Sequence, residues 1–501
     1  MRNIFSWVFI FAIIFLLISS CKKDEFVTGP VELKFSADTV IFDTVFTTVG
    51  SATQVFQVYN NSDSKVKISS IRLAKGENSN FRLNVDGLPG KTFNDVEIGA
   101  NDSLFIFVEV TVDPNNINKP KIITDSILFI TNGFMQDIDL VAWGQDAYYH
   151  SAPHNSQIAP FFFADTVNQM INWPSDKPHV IYGYLMIDSS QTFTISEGTN
   201  VYFHPGSGII VLNTGTLLVN GTQQKNVTFQ GDRLGADFDD VPGQWDRIWL
   251  SNLNLHTNII SPGTKNSSIS YAVIKNGTIG LLVDTAFDNN SSTKTLHLDN
   301  TIVKNMSSNG VALRGSNVDA YNCVFANCGA QTTNIIIGGN YNFYHCTFAN
   351  FWNNGQRQDP SVTLNNYYVY NNIQLIRQLN VYFGNSIIYG VNDNELGFDS
   401  AANGNQFNFR FDHVLLKVKS DFPTSDPSRY ISIIKATNSD IFNPRFADVD
   451  NNNYKLDSLN SSAVDAGDIN ITLLNSILNF DILGTSRPQR NGPDLGAYER
   501  Q

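Results

Sequence analysis

Apolar and polar residues alternate in short runs between residues 31 and 146, and turn-forming residues separate these runs. Residues 54–59, 103–110 and 137–143 are examples. A period of two places alternate side chains on opposite faces of a strand, so one face of each run is expected to meet a core. Several short strands of this kind predict a β-sandwich over residues 31–146.

A second pattern repeats with a period near 22 residues. Short apolar runs recur at steps of 22 and 23 residues from residues 300, 322 and 345. One coil of short strands cannot bury its inward side chains alone, but stacked coils can. The repeat therefore predicts a β-solenoid in which like residues stack about 4.8 Å apart. Six stretches share this frame: 271–276, 300–305, 322–327, 345–350, 385–390 and 412–417.

Asparagine closes four of these stretches, at Asn276, Asn305, Asn327 and Asn350. Asn tolerates the left-handed backbone conformation that tight bends require. Its amide also bonds to the same residue in the next layer. We predict that the four residues form a structural ladder at one corner of the solenoid.

The composition agrees with a β protein and excludes some functions. Hydrophobic residues make up 42% of the 501 residues and charged residues only 16%, while Asn occupies 59 positions. Asn is a weak helix former, and the 36 Phe and 18 Tyr provide ample apolar surface to bury. The net charge of −13 argues against nucleic-acid partners.

The N-terminus has the features of an export signal. Residues 4–18 form an apolar run too short for a typical membrane span, which suits a signal peptide. The following Ile18-Ser19-Ser20-Cys21 resembles the lipobox of bacterial lipoproteins. That resemblance implies cleavage after residue 20, lipidation of Cys21 and anchoring in the outer membrane; an ordinary secretory signal is the alternative. The next four residues, 22–25, resemble a surface-export tag, which implies exposure at the cell surface.

Three further stretches resemble known families. The sandwich region resembles immunoglobulin-like domains of the HYDIN-like type. The repeat region resembles the right-handed parallel β-helix of the pectate-lyase-like superfold. The C-terminal motifs SSAVDAG and GPDLGAYE resemble the end of surface β-helix proteins of the choice-of-anchor Q type, which implies a cap on the last coil.

The fold expected from these features is all-β, with an N-terminal immunoglobulin-like β-sandwich followed by a right-handed parallel β-helix that carries a C-terminal cap. The predicted segments are a signal peptide (1–20), a lipidated tether (21–30), the sandwich (31–146), a linker or N-terminal cap (147–180), the β-helix (181–446) and the C-terminal cap (447–501).

An acidic loop at residues 231–247 is the first candidate for chemistry. Acid oxygens are the ligands that Ca²⁺ prefers, so the loop could hold Ca²⁺; no other cofactor is predicted. A catalytic or sugar-binding role and a purely structural role, with arginines pairing the carboxylates, are the alternatives. The calcium candidates are Asp232, Asp237, Asp239 and Asp240, and the catalytic candidates are Asp239, Asp240 and Arg247.

Aromatic residues crowded among Asn and Gln in the middle coils form the second candidate. Trp352, Tyr367 and Tyr370 are the candidate ligand-binding residues, because aromatic faces beside amides suit sugar rings. The alternative is that these aromatics fill the core.

Three cysteines remain besides Cys21. Cys323, Cys328 and Cys346 allow at most one disulfide and lack the spacing of a metal site, so we predict that they are small core residues.

The predicted function is a non-catalytic surface lipoprotein whose β-helix binds glycans or a cell-surface protein. A polysaccharide lyase or glycoside hydrolase is one alternative, although the sequence lacks the acid and arginine motifs typical of those enzymes on this fold. A structural component of a surface layer is the other.

Overall fold

The computed structural model describes residues 25–47, 50–51, 53–112, 121–153, 160–253, 263–285, 293–401, 406–438, 440–457, 460–487 and 492–500. The chain divides into two compact units, Met1–Asp146 and Ala147–Gln501. The predicted signal peptide and Cys21 lie outside the described residues. Within the described part, no helix is long and apolar enough to cross a membrane.

The first unit consists of two five-stranded sheets, with strand orders β1-β3-β8-β5-β6 and β2-β10-β9-β4-β7. Neighbouring strands are antiparallel except for β2 and β10, which are parallel. A 3₁₀ turn, Gly76–Asn78, lies between β4 and β5. The strands are β1 Lys34–Phe35, β2 Thr39–Phe46, β3 Gln54–Asn60, β4 Val66–Leu73, β5 Phe81–Val85, β6 Leu88–Gly90, β7 Thr92–Ile98, β8 Asp102–Val110, β9 Lys121–Thr131 and β10 Phe134–Gln145.

Alternation along each strand builds the core of this unit. In β8, Leu104, Ile106 and Val108 are buried, whereas the intervening Phe105 and Phe107 are exposed. The same period of two is present in β3, β9 and β10. The alternation that predicts the strands therefore also determines which side chains pack between the two sheets.

The second unit is a parallel β-helix in which each strand pairs with its equivalent in the next coil. Its strands are β11 Tyr148–Ser151, β12 Phe161–Phe163, β13 Met170–Trp173, β14 His179–Tyr182, β15 Tyr184–Ile187, β16 Thr192–Ile195, β17 Asn200–Phe203, β18 Gly208–Val211, β19 Thr216–Asn220, β20 Val227–Gly231, β21 Trp245–Ser251, β22 Ser267–Ser270, β23 Ala272–Lys275, β24 Gly277–Asp284, β25 Leu296–Asp299, β26 Ile302–Met306, β27 Val311–Tyr321, β28 Val324–Cys328, β29 Thr333–Tyr344, β30 Thr347–Asn350, β31 Val362–Asn365, β34 Leu379–Gly390, β35 Leu396–Asp399, β36 Phe407–Lys417, β37 Tyr430–Ile431 and β38 Ile434–Ala436.

Three parallel sheets run along the β-helix. Sheet A begins with β11, β14 and β17, sheet B with β12, β15 and β18, and sheet C with β13, β16 and β19. In later coils single long strands turn a corner: β27 and β29 pass from sheet B to sheet C, and β34 and β36 pass from sheet C to sheet A. An antiparallel hairpin of β32 (Tyr367–Tyr370) and β33 (Ile373–Ile376) projects between β31 and β34.

The β-helix starts earlier than the repeat pattern predicts. Residues 147–180, expected to be a linker or N-terminal cap, already form β11, β12 and β13, which pair with the next coil. These strands have only three or four residues each and stand beside prolines. Runs this short carry too little periodicity to be recognised from sequence.

Stacked aromatic rings fill the interior, as the repeat predicts. The rings of Phe325 and Phe348 lie 5.2 Å apart in adjacent coils. Phe383 stacks between Phe343 and Phe411, at 4.9 Å from each. Cys323, Cys328 and Cys346 are free and fully buried in the same core.

The C-terminal segment lies along the side of the β-helix, on the outer surface of sheet A, rather than over the last coil. Tyr454 and Tyr498 pack against Val324, Ala326 and Ala349 of the middle coils. The outward-facing alanines on sheet A leave space for this segment, which explains why it lies there. The resemblance of the C-terminal motifs did not predict this position. Its elements are β39 Phe446–Asp448, β40 Asn453–Leu456, helix α1 Ile469–Thr472 and the 3₁₀ turns Asp440–Phe442 and Ser476–Asn479.

Candidate functional site

The acidic loop is held against the β-helix by pairs of opposite charge. Asp239 Oδ1 lies 3.5 Å from Lys275 Nζ, and Asp240 Oδ1 lies 3.5 Å from Lys304 Nζ. Both carboxylates are more than half exposed. Because each acid has its own lysine partner, the loop forms a docked structural element.

The loop does not assemble the predicted calcium ligands. Asp232 Oδ2 lies 2.8 Å from His204 Nδ1, and burial raises the pKa of this carboxyl group. Asp237 is exposed in the 3₁₀ turn Ala236–Phe238. Among the described residues, which include the whole loop, no group of three or more acidic, His or Cys side chains is placed to hold a metal ion.

The predicted catalytic residues also have separate partners. Arg247 forms two hydrogen bonds with the carboxylate of its neighbour Asp246, at 2.8 and 2.9 Å. Tyr184 donates to the same carboxylate. Arg247 therefore does not combine with Asp239 and Asp240 into one reactive group.

Three of the four predicted ladder residues lie at left-handed bends: Asn276, Asn305 and Asn327 have φ values of 67°, 56° and 53°. Asn327 Nδ2 donates to Asn305 Oδ1 at 2.9 Å. Asn305 Nδ2 donates to Asp240 Oδ1 at 2.6 Å, so the ladder continues into the acidic loop. Asn350 is arranged differently, because its Oδ1 accepts from the backbone N–H of Cys328 in the preceding coil at 3.0 Å.

Two of the three predicted ligand-binding aromatics, Trp352 and Tyr367, have separate surroundings. Trp352 packs at a corner beside Gly329, where a methyl group on the glycine would lie 3.2 Å from Trp352 Cζ2. Tyr367 is half-buried on the β32–β33 hairpin and donates to Asp399 Oδ1 at 2.8 Å. The side chain of Tyr370 lies outside the described part of the structure.

A different surface brings aromatic, amide and charged side chains together: the outer side of sheet C in its middle and late coils. We call it the polar-aromatic face. The parallel register places its residues in three rows, with one residue from each coil in every row. The rows are Asn317, Asn340, Asn380 and Asn408; then His297, Asp319, Asn342, Tyr382 and Arg410; then Asp299, Tyr321, Tyr344, Gly384 and Asp412.

Three half-buried tyrosines form the aromatic part of this face. The rings of Tyr321 and Tyr344 are stacked at 5.4 Å, and those of Tyr344 and Tyr382 lie 5.3 Å apart at 45°. A methyl group at Gly384 would lie 2.8 Å from Tyr382 Cε1, so the glycine leaves the space that this ring occupies. His297 lies 5.0 Å from Tyr321, and the Arg410 guanidinium lies 5.9 Å from the Tyr382 ring.

A row of amides runs beside the tyrosines. Asn380 Nδ2 donates to Asn340 Oδ1 at 2.8 Å, and Asn408 Nδ2 donates to Asn380 Oδ1 at 3.1 Å. These residues and Tyr382 border a shallow cavity of about 300 Å³. Each amide in such a row keeps further donor or acceptor positions toward solvent.

Two carboxylates of the polar-aromatic face, Asp319 and Asp412, are held by neighbouring donors. Asp319 Oδ1 accepts from Lys294 Nζ and from Asn342 Nδ2, both at 2.7 Å. Asp412 Oδ2 accepts from Arg410 Nη2 at 2.7 Å and from Tyr382 OH at 3.2 Å. Each of these two carboxylates is therefore paired with one cation, Lys294 or Arg410.

The tyrosine hydroxyl groups on this face stay protonated at neutral pH. Burial, followed by the charge of Asp319, raises the pKa of Tyr321 to about 12. Burial also raises the pKa of Tyr344 and, together with Asp412, that of Tyr382. Each hydroxyl can therefore donate as well as accept hydrogen bonds.

The repeat frame itself contains a signal for this face. Corner residues with positive φ, Asn322, His345, Asn385 and His413, follow each sheet C strand. The residues one, three and five positions before each corner are the three rows. Reading outward positions from the corner, rather than counting aromatic residues, would have selected Tyr344 and Tyr382.

Similarity to known proteins is confined to structural matches at low scores. No family model matches the chain, and no curated protein matches it. The catalytic domain of a GH87 alpha-1,3-glucanase, solved with nigerose, is similar over 77% of this chain and 88% of its own, at 11% identity and TM-scores of 0.16 to 0.21. A family 123 glycoside hydrolase from Clostridium perfringens is 10% identical, with 24% of this chain and 30% of that chain covered and a TM-score of 0.17.

Other matches involve PapD-like or chaperone domains. The PapD-like domain 7 of human CEP192 is 7% identical, with 24% of this chain and 91% of that domain covered and a TM-score of 0.17. The periplasmic chaperone SfaE is 14% identical, with 23% of this chain and 58% of its own covered, at a TM-score of 0.17. The chain thus spans 30% of the length of the family 123 glycoside hydrolase and 58% of the length of SfaE.

Proposed function

We propose that this protein is a bacterial outer-membrane lipoprotein, exposed at the cell surface, whose β-helix binds glycan chains without cleaving them. The supporting observation is the polar-aromatic face, where tyrosine rings and amides are aligned from coil to coil. The proposed lipid anchor is Cys21, as its lipobox-like context implies.

The chemistry of the face suits a sugar chain. A sugar ring has an apolar side that stacks on aromatic rings and hydroxyl groups that pair with amides and carboxylates. Tyr344 and Tyr382 supply the rings, and Asn340 and Asn380 supply the amides. The sites repeat along the solenoid axis about every 4.8 Å, so an extended ligand fits better than a compact one.

The same geometry favours binding over catalysis. Glycoside hydrolysis uses two carboxyl groups that flank one bond, one of them as a proton donor. Asp319 and Asp412 are instead bonded to Lys294 and Arg410 in separate coils. The third carboxylate of the face, Asp299, accepts from Ser270 Oγ at 2.6 Å and from Asn300 Nδ2 at 3.0 Å. Each acid is thus held by its own donors.

A glycan array with the detergent-solubilised full chain tests the binding proposal. We expect Tyr344→Ala and Tyr382→Ala each to weaken binding of the selected glycan about tenfold, which corresponds to about 1.4 kcal/mol per lost ring contact. Tyr367→Ala is the matched control, because this tyrosine lies on the hairpin, outside the polar-aromatic face. Wild-type levels of binding by both face variants would contradict the proposal, as would a glycan cut by the wild-type protein.

The anchor and location need a separate experiment. Metabolic labelling with a fatty acid should mark the wild-type chain and leave Cys21→Ser unlabelled. Protease added to intact cells should remove the wild-type protein if it faces outward. Labelling of the variant, or full protection from protease, would contradict this part of the proposal without affecting the glycan result.

A further inference from the structure

A second cavity lies on another side of the β-helix, between the outer surface of sheet A and the β39–β40 hairpin. Its volume is about 680 Å³. Three aromatic rings (Phe351, Tyr389 and Phe446) and two cations (Lys417 and Arg445) line it. It shares no lining residue with the polar-aromatic face, so a ligand can bind here whether or not that face binds glycans.

Lys417 places a buried positive charge at this cavity. The residue is 7% exposed, and its Nζ donates to the carbonyl oxygen of Gly390 at 2.6 Å. The ammonium also lies 5.0 Å from the centre of the Tyr389 ring. An ammonium group has three donors, and among the described residues Lys417 takes part in no salt bridge. Burial lowers the pKa of Lys417, which reflects the cost of keeping this charge away from water.

The charges of two acids, Glu395 and then Asp393, raise the pKa of Lys417 against the effect of burial, and the first of these acids is already occupied. Both oxygens of Glu395 are held by Arg357, at 2.6 and 2.9 Å, in a fully buried pair. The backbone N–H groups of Ser361 and Asn392 donate to the same carboxylate, each at 2.8 Å. These four bonds use the acceptor positions of Glu395, so Lys417 keeps donors for a ligand.

The rest of the lining adds a second cation and an aromatic wall of three rings. Arg445 is exposed at the rim, where Asp457 is the one acid among the described lining residues. Phe446 meets Phe351 and Tyr389 edge to face, at 6.0 and 6.4 Å. Such aromatic rings can stack on the apolar side of a six-membered sugar ring, but they do not neutralise the charges of Lys417 and Arg445.

We propose that this cavity binds a sugar residue that carries a carboxylate, of the hexuronate type. Lys417 and Arg445 would hold the carboxylate, and the ring would lie against Phe351 and Tyr389. Charge-assisted hydrogen bonds to a buried ammonium give preference for the acidic sugar over its neutral counterpart. The net charge of the chain is −13, so the preference arises from local geometry and not from overall attraction.

Calorimetric titration of the full chain with glucuronate, glucose and acetate tests the proposal. We expect glucuronate to bind at least tenfold more tightly than either of the others, because it alone offers both the ring and the charge. Lys417→Met keeps the length of the side chain and should reduce the affinity for glucuronate to that for glucose. Lys435→Met is the matched control, because Lys435 bonds to the carbonyls of Ser420 and Phe422 outside the cavity lining.

A second variant keeps the test valid if Lys417→Met does not fold. Arg445→Gln changes an exposed residue, so it should leave the thermal midpoint unchanged and weaken glucuronate binding three- to tenfold. Equal affinity for glucuronate and glucose would overturn the proposal. Acetate binding as tightly as glucuronate would also overturn it, since the aromatic wall would then play no part.

Discussion

Glu499 is expected to make the docking of the C-terminal segment depend on pH. It lies beside Arg487, which is fully buried and donates to Asn322 Oδ1 at 3.0 Å. Two more buried acids, Asp481 and Asp494, surround the same guanidinium. One cation cannot balance three carboxylates, and burial together with Asp494 raises the pKa of Glu499 to about 8.

The sign and size of the effect come from linkage between proton binding and docking. The folded pKa is above the unfolded value of about 4.3, so the stabilisation is complete below about pH 4.3 and is lost as pH rises through 8. One proton contributes about 1.36 kcal/mol per pH unit within this window. The free energy of docking of the C-terminal segment should therefore become less favourable by about 2.5 kcal/mol between about pH 5.5 and 7.5.

Hydrogen exchange of the amides of Gly496 and Ala497 reports this opening, because these N–H groups bond to Asn385 O and Thr347 Oγ1 of the β-helix. The opening free energy, corrected for intrinsic exchange, should fall over this range in the wild type. In Glu499→Gln the slope should be smaller by about 1.2 kcal/mol per pH unit, since Gln keeps the shape and cannot titrate. Parallel slopes in the two proteins would show that Glu499 is already ionised at pH 5.5 and would refute the reasoning.

Three further changes test the coil structure and the polar-aromatic face. Phe348→Ala removes a ring from the interior stack with Phe325 and should cost about 3–5 kcal/mol in denaturant unfolding of the β-helix. Asn305→Ala puts a residue that disfavours the left-handed region at φ 56° and loses two amide bonds, so it should lower the thermal midpoint more than Asn305→Gly does. Gly384→Ala should displace Tyr382 and weaken glycan binding while the circular dichroism spectrum stays unchanged.

The repeated parts of the fold could be predicted from sequence because their partners lie one period away. Phe325 and Phe348 occupy the same position in the repeat, so the 23-residue step alone places one on the other. In the sandwich, alternation identified β8 to within one residue of its observed start. In both cases a pattern that is visible in the sequence, the repeat or the alternation, predicts which side chains meet.

Contacts between residues that are not related by the repeat or by alternation could not be predicted in this way. Arg487 bonds to Asn322 across 165 residues, and Asn305 bonds to Asp240 across 65. Nothing near Arg487 in sequence indicates that it binds a corner of the middle coils. The acidic loop stands out by composition, but the pairing of Asp239 and Asp240 with Lys275 and Lys304 depends on where the loop folds back.

The aromatic path on the polar-aromatic face changes row twice, and this has a consequence for the ligand. It passes from His297 to Tyr321 and Tyr344 in the neighbouring row, then returns at Tyr382 to the row of His297 and ends at Arg410. The return occurs where Gly384 replaces a side chain in the row of Tyr344. Five successive coils contribute, which gives a path of about 19 Å. A bound chain that follows the rings must bend across the solenoid axis, so its linkage geometry, and not only its sugar type, should determine which glycan binds.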